Sequence, residues 1–299
     1  MADKMKILFY TCVWGRPLIT RLCFDGIKRV INECPDFIMS AHVCVSEKWA
    51  ADLALEYGFT VSWSENKPVG RKHNKGVADI LDLEWDYLLQ VGSDDVLDAR
   101  LLDIYGPWLD KRLDVLGVCN AYLTDGRTCK RVGRAPNMVG AGRMISKRAI
   151  KRAGWRDEIV FEKPGHPMDG HVSFVNASEW RDLAERNECR KTGERKFMLW
   201  DDGLDCGLDR NSWERLFFAQ SRNKSFELRP EEAYVVDLKG GGEQINGFEE
   251  MECLGDAVPL EDIELAEVVE FCGMVGVGDS RLRGNDVDER VDKDKRILI

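Results

Sequence analysis

Two adjacent carboxylates, Asp94 and Asp95, follow an apolar run at residues 87–91, Tyr-Leu-Leu-Gln-Val, and a Gly92-Ser93 step. The run has the length of a buried strand. Open α/β sheets bind their ligands just beyond the carboxyl ends of such strands. A carboxylate pair there suits a hard divalent cation, Mg²⁺ or Mn²⁺, shared with the phosphates of a substrate. The chemistry is then group transfer from a nucleotide, with the cation stabilising the departing diphosphate. Taken alone, the same four residues also describe a solvated turn with an acidic cap on the next helix.

Other stretches supply what such a site needs. Lys67-Pro-Val-Gly-Arg-Lys-His-Asn-Lys75 places cations and amide donors at a helix start just before the central strand, an arrangement suited to a diphosphate. Its plain alternative is a solvated basic helix face. Gly140-Ala-Gly-Arg143 precedes a helix, and Arg143 could face an acceptor or a phosphate; a tight turn into a packed helix fits equally well. Asp201, Asp202, Asp205 and Asp209 form a second acidic block, in which a base could reach an acceptor hydroxyl. Asp209 stands at a helix start, where an acidic cap is also ordinary. His166, Asp169 and His171 match no metal spacing and read as a Gly/Pro-rich surface loop.

The elements that must position these groups alternate. Residues 7–13, 37–45, 59–63 and 87–91 read as strands, and helical spacing fills 18–31, 48–57 and 71–83. That order predicts βαβ units, an α/β fold and a mostly parallel sheet. Further on, a helix is expected over 97–109, a strand over 115–123, a helix over 147–153, a charged helix over 178–191 and a strand over 234–238. Residues 259–274 read as an acidic helical piece, and residues 276–299 as a charged, frayed tail. The first strand lacks GxGxxG, which disfavours a dinucleotide site of that kind.

Composition narrows the class. The 299 residues are 44% hydrophobic and 32% charged, with a formal net charge of −10. Such a chain is globular and is not built for non-specific adhesion to nucleic acid. No apolar run is long enough to span a membrane, and the first residues lack the apolar stretch of a signal peptide. Ten cysteines without a CxxC pair point to reduced thiols and a cytoplasmic location.

Together, the Arg-Pro after the first strand, the Gly-Arg-Lys-His-Asn-Lys-Gly helix start, the strand ending in Gly-Ser-Asp-Asp, the Gly-Ala-Gly-Arg-Met-Ile-Ser segment and the later Asp-rich block carry a resemblance. Over residues 5–240 the chain resembles the inverting glycosyltransferases of family 2, of the GT-A fold. The resemblance implies a three-layer α/β/α sandwich in a single domain over 1–275. Residues 5–110 would bind the nucleotide-sugar and 111–250 the acceptor. It places Thr11, Arg16 and Pro17 against the nucleotide, Arg71 and Asn74 at its base or diphosphate, and Asp94 and Asp95 on Mn²⁺ or Mg²⁺. Asp209, or failing that Asp202, would be the general base. The implied activity is metal-dependent, inverting transfer of a sugar to a hydroxyl, with Arg71 or Lys72 helping the diphosphate leave.

The chain departs from that pattern in two places. Gly92 stands where an Asp-x-Asp motif has its first Asp, so a third metal ligand is not identified. The usual Glu-Asp pair of the base is not plain among Asp201, Asp202, Asp205 and Asp209. The expected acceptor is a saccharide. Arg127, Lys130, Arg131 and Arg134 also suit an anionic polymer such as modified DNA. A nucleotidyltransferase or a non-catalytic nucleotide-sugar-binding module would use similar residues. Released pyrophosphate marks the first, and binding without turnover the second.

Overall fold

The computed structural model describes residues 4–124, 128–133, 140–161, 172–175, 189–200, 202–203, 216, 225–228, 235–238 and 258–259. Strand and helix alternate through the first hundred residues: β1 (Lys6–Val13), α1 (Pro17–Glu33), β2 (Ile38–Val45), α2 (Lys48–Glu56), β3 (Thr60–Trp63), α3 (Val69–Ile80) and β4 (Tyr87–Gln90). Then follow β5 (Asp95–Leu97), α4 (Arg100–Leu109), β6 (Val115–Val118), β7 (Asn120–Thr124), β8 (Thr128–Gly133), β9 (Met144–Ser146) and α5 (Lys147–Gly154). The remaining described strands are β10 (Trp155–Phe161), β11 (Val172–Val175), β12 (Cys189–Phe197), β13 (Ser225–Leu228), β14 (Val235–Leu238) and β15 (Val258–Pro259).

The central sheet has seven strands in the order β13-β6-β9-β4-β1-β2-β3. Its described pairs are parallel, except that β9 runs antiparallel between β4 and β6. Both faces are covered, which is why the strands are continuous apolar runs. Ile7, Phe9, Tyr87 and Leu89 join a core with Phe24, Ile27 and Val30 of α1, Leu53 of α2 and Leu101 of α4. Leu8, Tyr10 and Leu88 point the other way, against Val77 and Ile80 of α3 and Ile150 of α5. The result is the expected mostly parallel α/β/α sandwich. At Gly76 an added Cβ would meet Cys44 Cβ at 2.8 Å, so glycine lets α3 sit down on β1 and β2.

Two smaller sheets complete the described fold. One has the order β15-β8-β7-β14-β5, the other β11-β10-β12. Here the expectations need correction. The single strand read over 115–123 is two strands, broken at Cys119, because the chain leaves the central sheet after Val118 and enters the five-stranded sheet at Asn120. The helix read from Leu97 starts at Arg100, since residues 95–97 form a ladder with β14. Asp98 then accepts the Arg100 N–H at 2.9 Å and opens the helix. Residues 189–191 of the charged helix read over 178–191 belong to β12, drawn into strand by its pairing with β10. The segments 178–188, 165–171 and 260–299 lie outside the described residues. Among the described residues no helix is long and apolar enough to cross a membrane.

One buried group makes stability pH-dependent. His42 on β2 lies between Thr60 Oγ1 (2.8 Å) and Ser62 Oγ (3.0 Å). Burial pushes its imidazolium pKa down to about 4. The unfolded chain therefore takes up this proton near pH 6.5, while the folded chain resists until about pH 4. The contribution is fully present above pH 6.5 and is lost as pH falls through that window. The drop is about 3 kcal/mol at 1.36 kcal/mol per pKa unit. Urea denaturation at pH 7 and pH 4.5 should show it in the wild type and show a smaller drop in His42→Gln. Equal drops in the two proteins would assign the acid sensitivity to other groups.

Candidate active site

The site lies where the chain passes from one sheet to another. β4 ends at Gln90 in the central sheet and β5 begins at Asp95 in the five-stranded sheet. Backbone bonds hold both sides of the crossing. Val91 N–H donates to Tyr10 O at 3.0 Å, and Leu238 N–H to Asp94 O at 2.9 Å. Within the turn, Asp95 folds back on Gly92. Its Oδ2 accepts the Gly92 N–H at 2.6 Å, and its own N–H donates to Gly92 O at 3.1 Å. A Cβ on residue 92 would lie 2.5 Å from Asp95 Oδ2 and 3.1 Å from Asp94 Oδ1. The glycine in the sequence motif thus has a steric cause. A side chain at 92 would occupy the place of the Asp95 carboxylate.

A third carboxylate completes the cluster. β14 lies between β7 and β5, parallel to the first and antiparallel to the second, with Asp237 directly opposite Asp95. One oxygen from each of Asp94, Asp95 and Asp237 lies within 4.8 Å of the others. Like charges directly opposite on paired strands repel. An all-oxygen set of three carboxylates fits a hard cation such as Mn²⁺ or Mg²⁺. Asp237 was not among the residues singled out from the sequence. The available signal was an acid inside the apolar strand Val235-Val-Asp-Leu238, a place where a charged residue is uncommon.

Arg16 faces the cluster from the end of β1. Its Nη1 donates to Asp94 Oδ2 at 3.1 Å, and both side chains are about four-fifths buried. The turn that delivers it is left-handed at two successive residues, Gly15 (φ 61°) and Arg16 (φ 51°). Glu47 Oε2 accepts the Gly15 N–H at 2.8 Å. Pro17 opens α1 behind it, where its missing N–H costs nothing. Thr11, in the same strand, is buried, and its Oγ1 has no hydrogen-bond partner among the described residues.

Several residues of the basic helix start have partners within the protein. Lys72 is buried, and its ammonium donates to Val13 O, Ser46 Oγ (3.1 Å) and Asn66 Oδ1 (3.3 Å). Burial lowers its pKa. It ties together the carboxyl ends of β1 and β2 from beneath, so it is a brace for the loops, and Arg71 is the exposed cation of the pair. Asn74 was expected at the nucleotide. Its amide nitrogen donates to Trp200 O and Asp202 Oδ1, both at 2.7 Å, and its oxygen accepts Trp200 N–H at 2.9 Å. Asp202 gives its other oxygen to Lys196 at 2.8 Å. Asn74 therefore pins Trp200 and Asp202 to α3, while Trp200 packs on His73 with ring centroids 4.9 Å apart. Arg143 is almost wholly buried beside β4, and its backbone oxygen accepts Gln90 N–H at 2.8 Å. Asp201, Asp205 and Asp209 lie outside the described residues, as do Arg127, Arg134 and the 165–171 loop.

A parallel sheet interrupted by one antiparallel strand, with an acidic turn where β4 ends, defines a GT-A-like fold. The crystal structure of TarS from S. aureus shares it, with a TM-score of 0.50 and 13% identity over 78% of this chain and 37% of the TarS chain. Two further solved structures are similar at lower scores. A complex of S. aureus TarS 1–349 with UDP gives 0.46, with 12% identity over 78% of this chain and 60% of that one. The mannosyltransferase PcManGT from Pyrobaculum calidifontis, with GDP-Man and Mn²⁺, gives 0.44, with 8% identity over 79% of this chain and 57% of that one. This chain thus spans less than two thirds of each of these proteins, and at such identities the likeness speaks for the fold alone. No protein-family model and no curated protein matches the sequence.

Proposed function

We propose that this protein is a metal-dependent glycosyltransferase that moves a sugar from a nucleoside-diphosphate sugar to a hydroxyl acceptor with inversion. The observation that carries this reading is the convergence of Asp94, Asp95 and Asp237 beside Arg16 at the carboxyl edge of the sheet. In this reading the three carboxylates hold Mn²⁺ or Mg²⁺, which when bound neutralises charge on the departing diphosphate. Arg16 and the exposed Arg71 add positive charge on the donor side. Thr11 offers its buried hydroxyl to the donor, and Gly92 keeps Asp95 in place.

The base comes from the second acidic block. Both oxygens of Asp202 are engaged, by Asn74 and by Lys196, so of the two candidates the proton of the acceptor falls to Asp209. Asn74 sets where that block starts relative to α3. A saccharide hydroxyl is the acceptor we favour.

The test is product analysis. The full chain is incubated with UDP-, GDP- and dTDP-sugars, with and without Mn²⁺, and the released nucleotide is identified. Metal-dependent release of nucleoside diphosphate supports the proposal. Pyrophosphate release would reassign the protein as a nucleotidyltransferase. Binding with no turnover across an acceptor panel would make it a binding module.

A further inference from the structure

We infer that Arg16 is an exchangeable counter-ion. It neutralises the metal carboxylates while the site is empty and transfers to the diphosphate when metal and nucleotide are bound, so that it couples the two binding events. This inference rests on the reading of the cluster as a metal–diphosphate site.

The geometry supplies the reason. Three carboxylates converge within 4.8 Å, and Arg16 lies on one of them. Its guanidinium and a divalent cation both bind Asp94, so each weakens the other's hold. A nucleoside diphosphate reverses the balance. It brings more negative charge than one divalent cation cancels, and a planar guanidinium is well matched to phosphate oxygens. Arg16 then has a better partner a short distance away, and Asp94 is released to the metal.

The backbone fits a side chain that moves on a fixed base. Glu47 holds the N–H of Gly15, and Arg16 O accepts the N–H of Thr20 in the first turn of α1 at 3.0 Å. Pro17 fixes the chain just after it. The Arg16 side chain is still about one-fifth exposed, so rotation does not require the core to open. Coupling of this kind is reciprocal. Whatever factor the nucleotide adds to metal affinity, the metal adds to nucleotide affinity.

The experiment is calorimetric titration of the full chain with Mn²⁺ alone, with UDP alone and with GDP alone, and then with Mn²⁺ in the presence of each nucleotide. Arg16→Gly removes the charge and suits the left-handed backbone, so it should fold; Arg16→Gln is the companion variant. In both, Mn²⁺ alone should bind about tenfold tighter than to wild type, and the nucleotide-induced gain in Mn²⁺ affinity should shrink by about tenfold, within the usual span of coupling factors. Variants that bind Mn²⁺ alone no tighter than wild type would overturn the exchange and leave Arg16 a simple phosphate ligand. Asp94→Asn separates the two ideas. If it leaves Mn²⁺ binding intact, the metal reading fails independently of Arg16.

Discussion

Asp94→Asn should abolish turnover and leave the fold intact. The carboxylate lies at the crossing between two sheets, and its backbone oxygen, not its side chain, holds β14 through the Leu238 N–H. The side chain bonds to Arg16 at 3.1 Å, and both partners are about four-fifths buried. Asparagine keeps a side-chain oxygen that can accept from Arg16, so part of that bond survives the substitution. Removing one of three clustered negative charges relieves repulsion and offsets that loss. Melting temperature should therefore change little. The chemistry should change greatly, because a metal's stabilisation of a leaving diphosphate is worth several kcal/mol. At 1.36 kcal/mol per factor of ten, the expected loss in kcat/KM is about a thousandfold. Steady-state kinetics at saturating Mn²⁺, with a melting curve alongside, checks both halves. Full activity with metal still required would remove Asp94 from the site.

Gly92→Ala should damage the same site by a different route. The added methyl would lie 2.5 Å from Asp95 Oδ2, well inside contact distance. That oxygen is held by the N–H of residue 92 itself, so the carboxylate cannot swing away and keep its bond. Asp95 is buried, and its Cα faces Asp237 across the ladder. Displacing it moves one ligand out of register with the other two. We expect Mn²⁺ affinity to fall by roughly 10- to 100-fold, the range seen when groups that orient metal ligands are removed. Calorimetric titration with Mn²⁺ reads it directly. Gly92→Asp, which would restore an Asp-x-Asp pattern on paper, should be no better than alanine, because its first carbon meets the same oxygen. A gain in affinity from that variant would mean that Asp95 is not seated as described.

Much of this arrangement is legible in the sequence, and the exceptions have physical causes. β1, β2 and β4 can be read because strands covered on both faces are unbroken apolar runs. Asp94 and Asp95 can be read because they end one. Asp237 cannot be assigned a role locally. What brings it to Asp94 and Asp95 is the pairing of β14 between β5 and β7, and no short-range pattern encodes that pairing. The internal partners of Lys72 and Asn74 are not legible in the sequence, because a polar residue on a helix suggests ligand or solvent. Here these two side chains of α3 are turned inward, Lys72 onto the Val13 carbonyl and Asn74 onto Trp200 and Asp202. β5 is too short at three residues for periodicity to register. β12, Cys-Arg-Lys-Thr-Gly-Glu-Arg-Lys-Phe, carries charges at spacings that suit a helix as well as a strand.

The position of β14 has a consequence for biosynthesis. Asp94 and Asp95 leave the ribosome early, but their partner strand arrives only after residue 235 has been made. At roughly 5–20 residues per second, the interval is on the order of ten seconds. Until then β5 and β7 lack the strand that joins them, and the nascent chain presents two acids where the finished chain presents three. If the three acids hold the proposed cation, its capture becomes a late event in the life of the molecule, after β14 has joined the sheet. Metal occupancy would then report that the polypeptide has closed its second sheet.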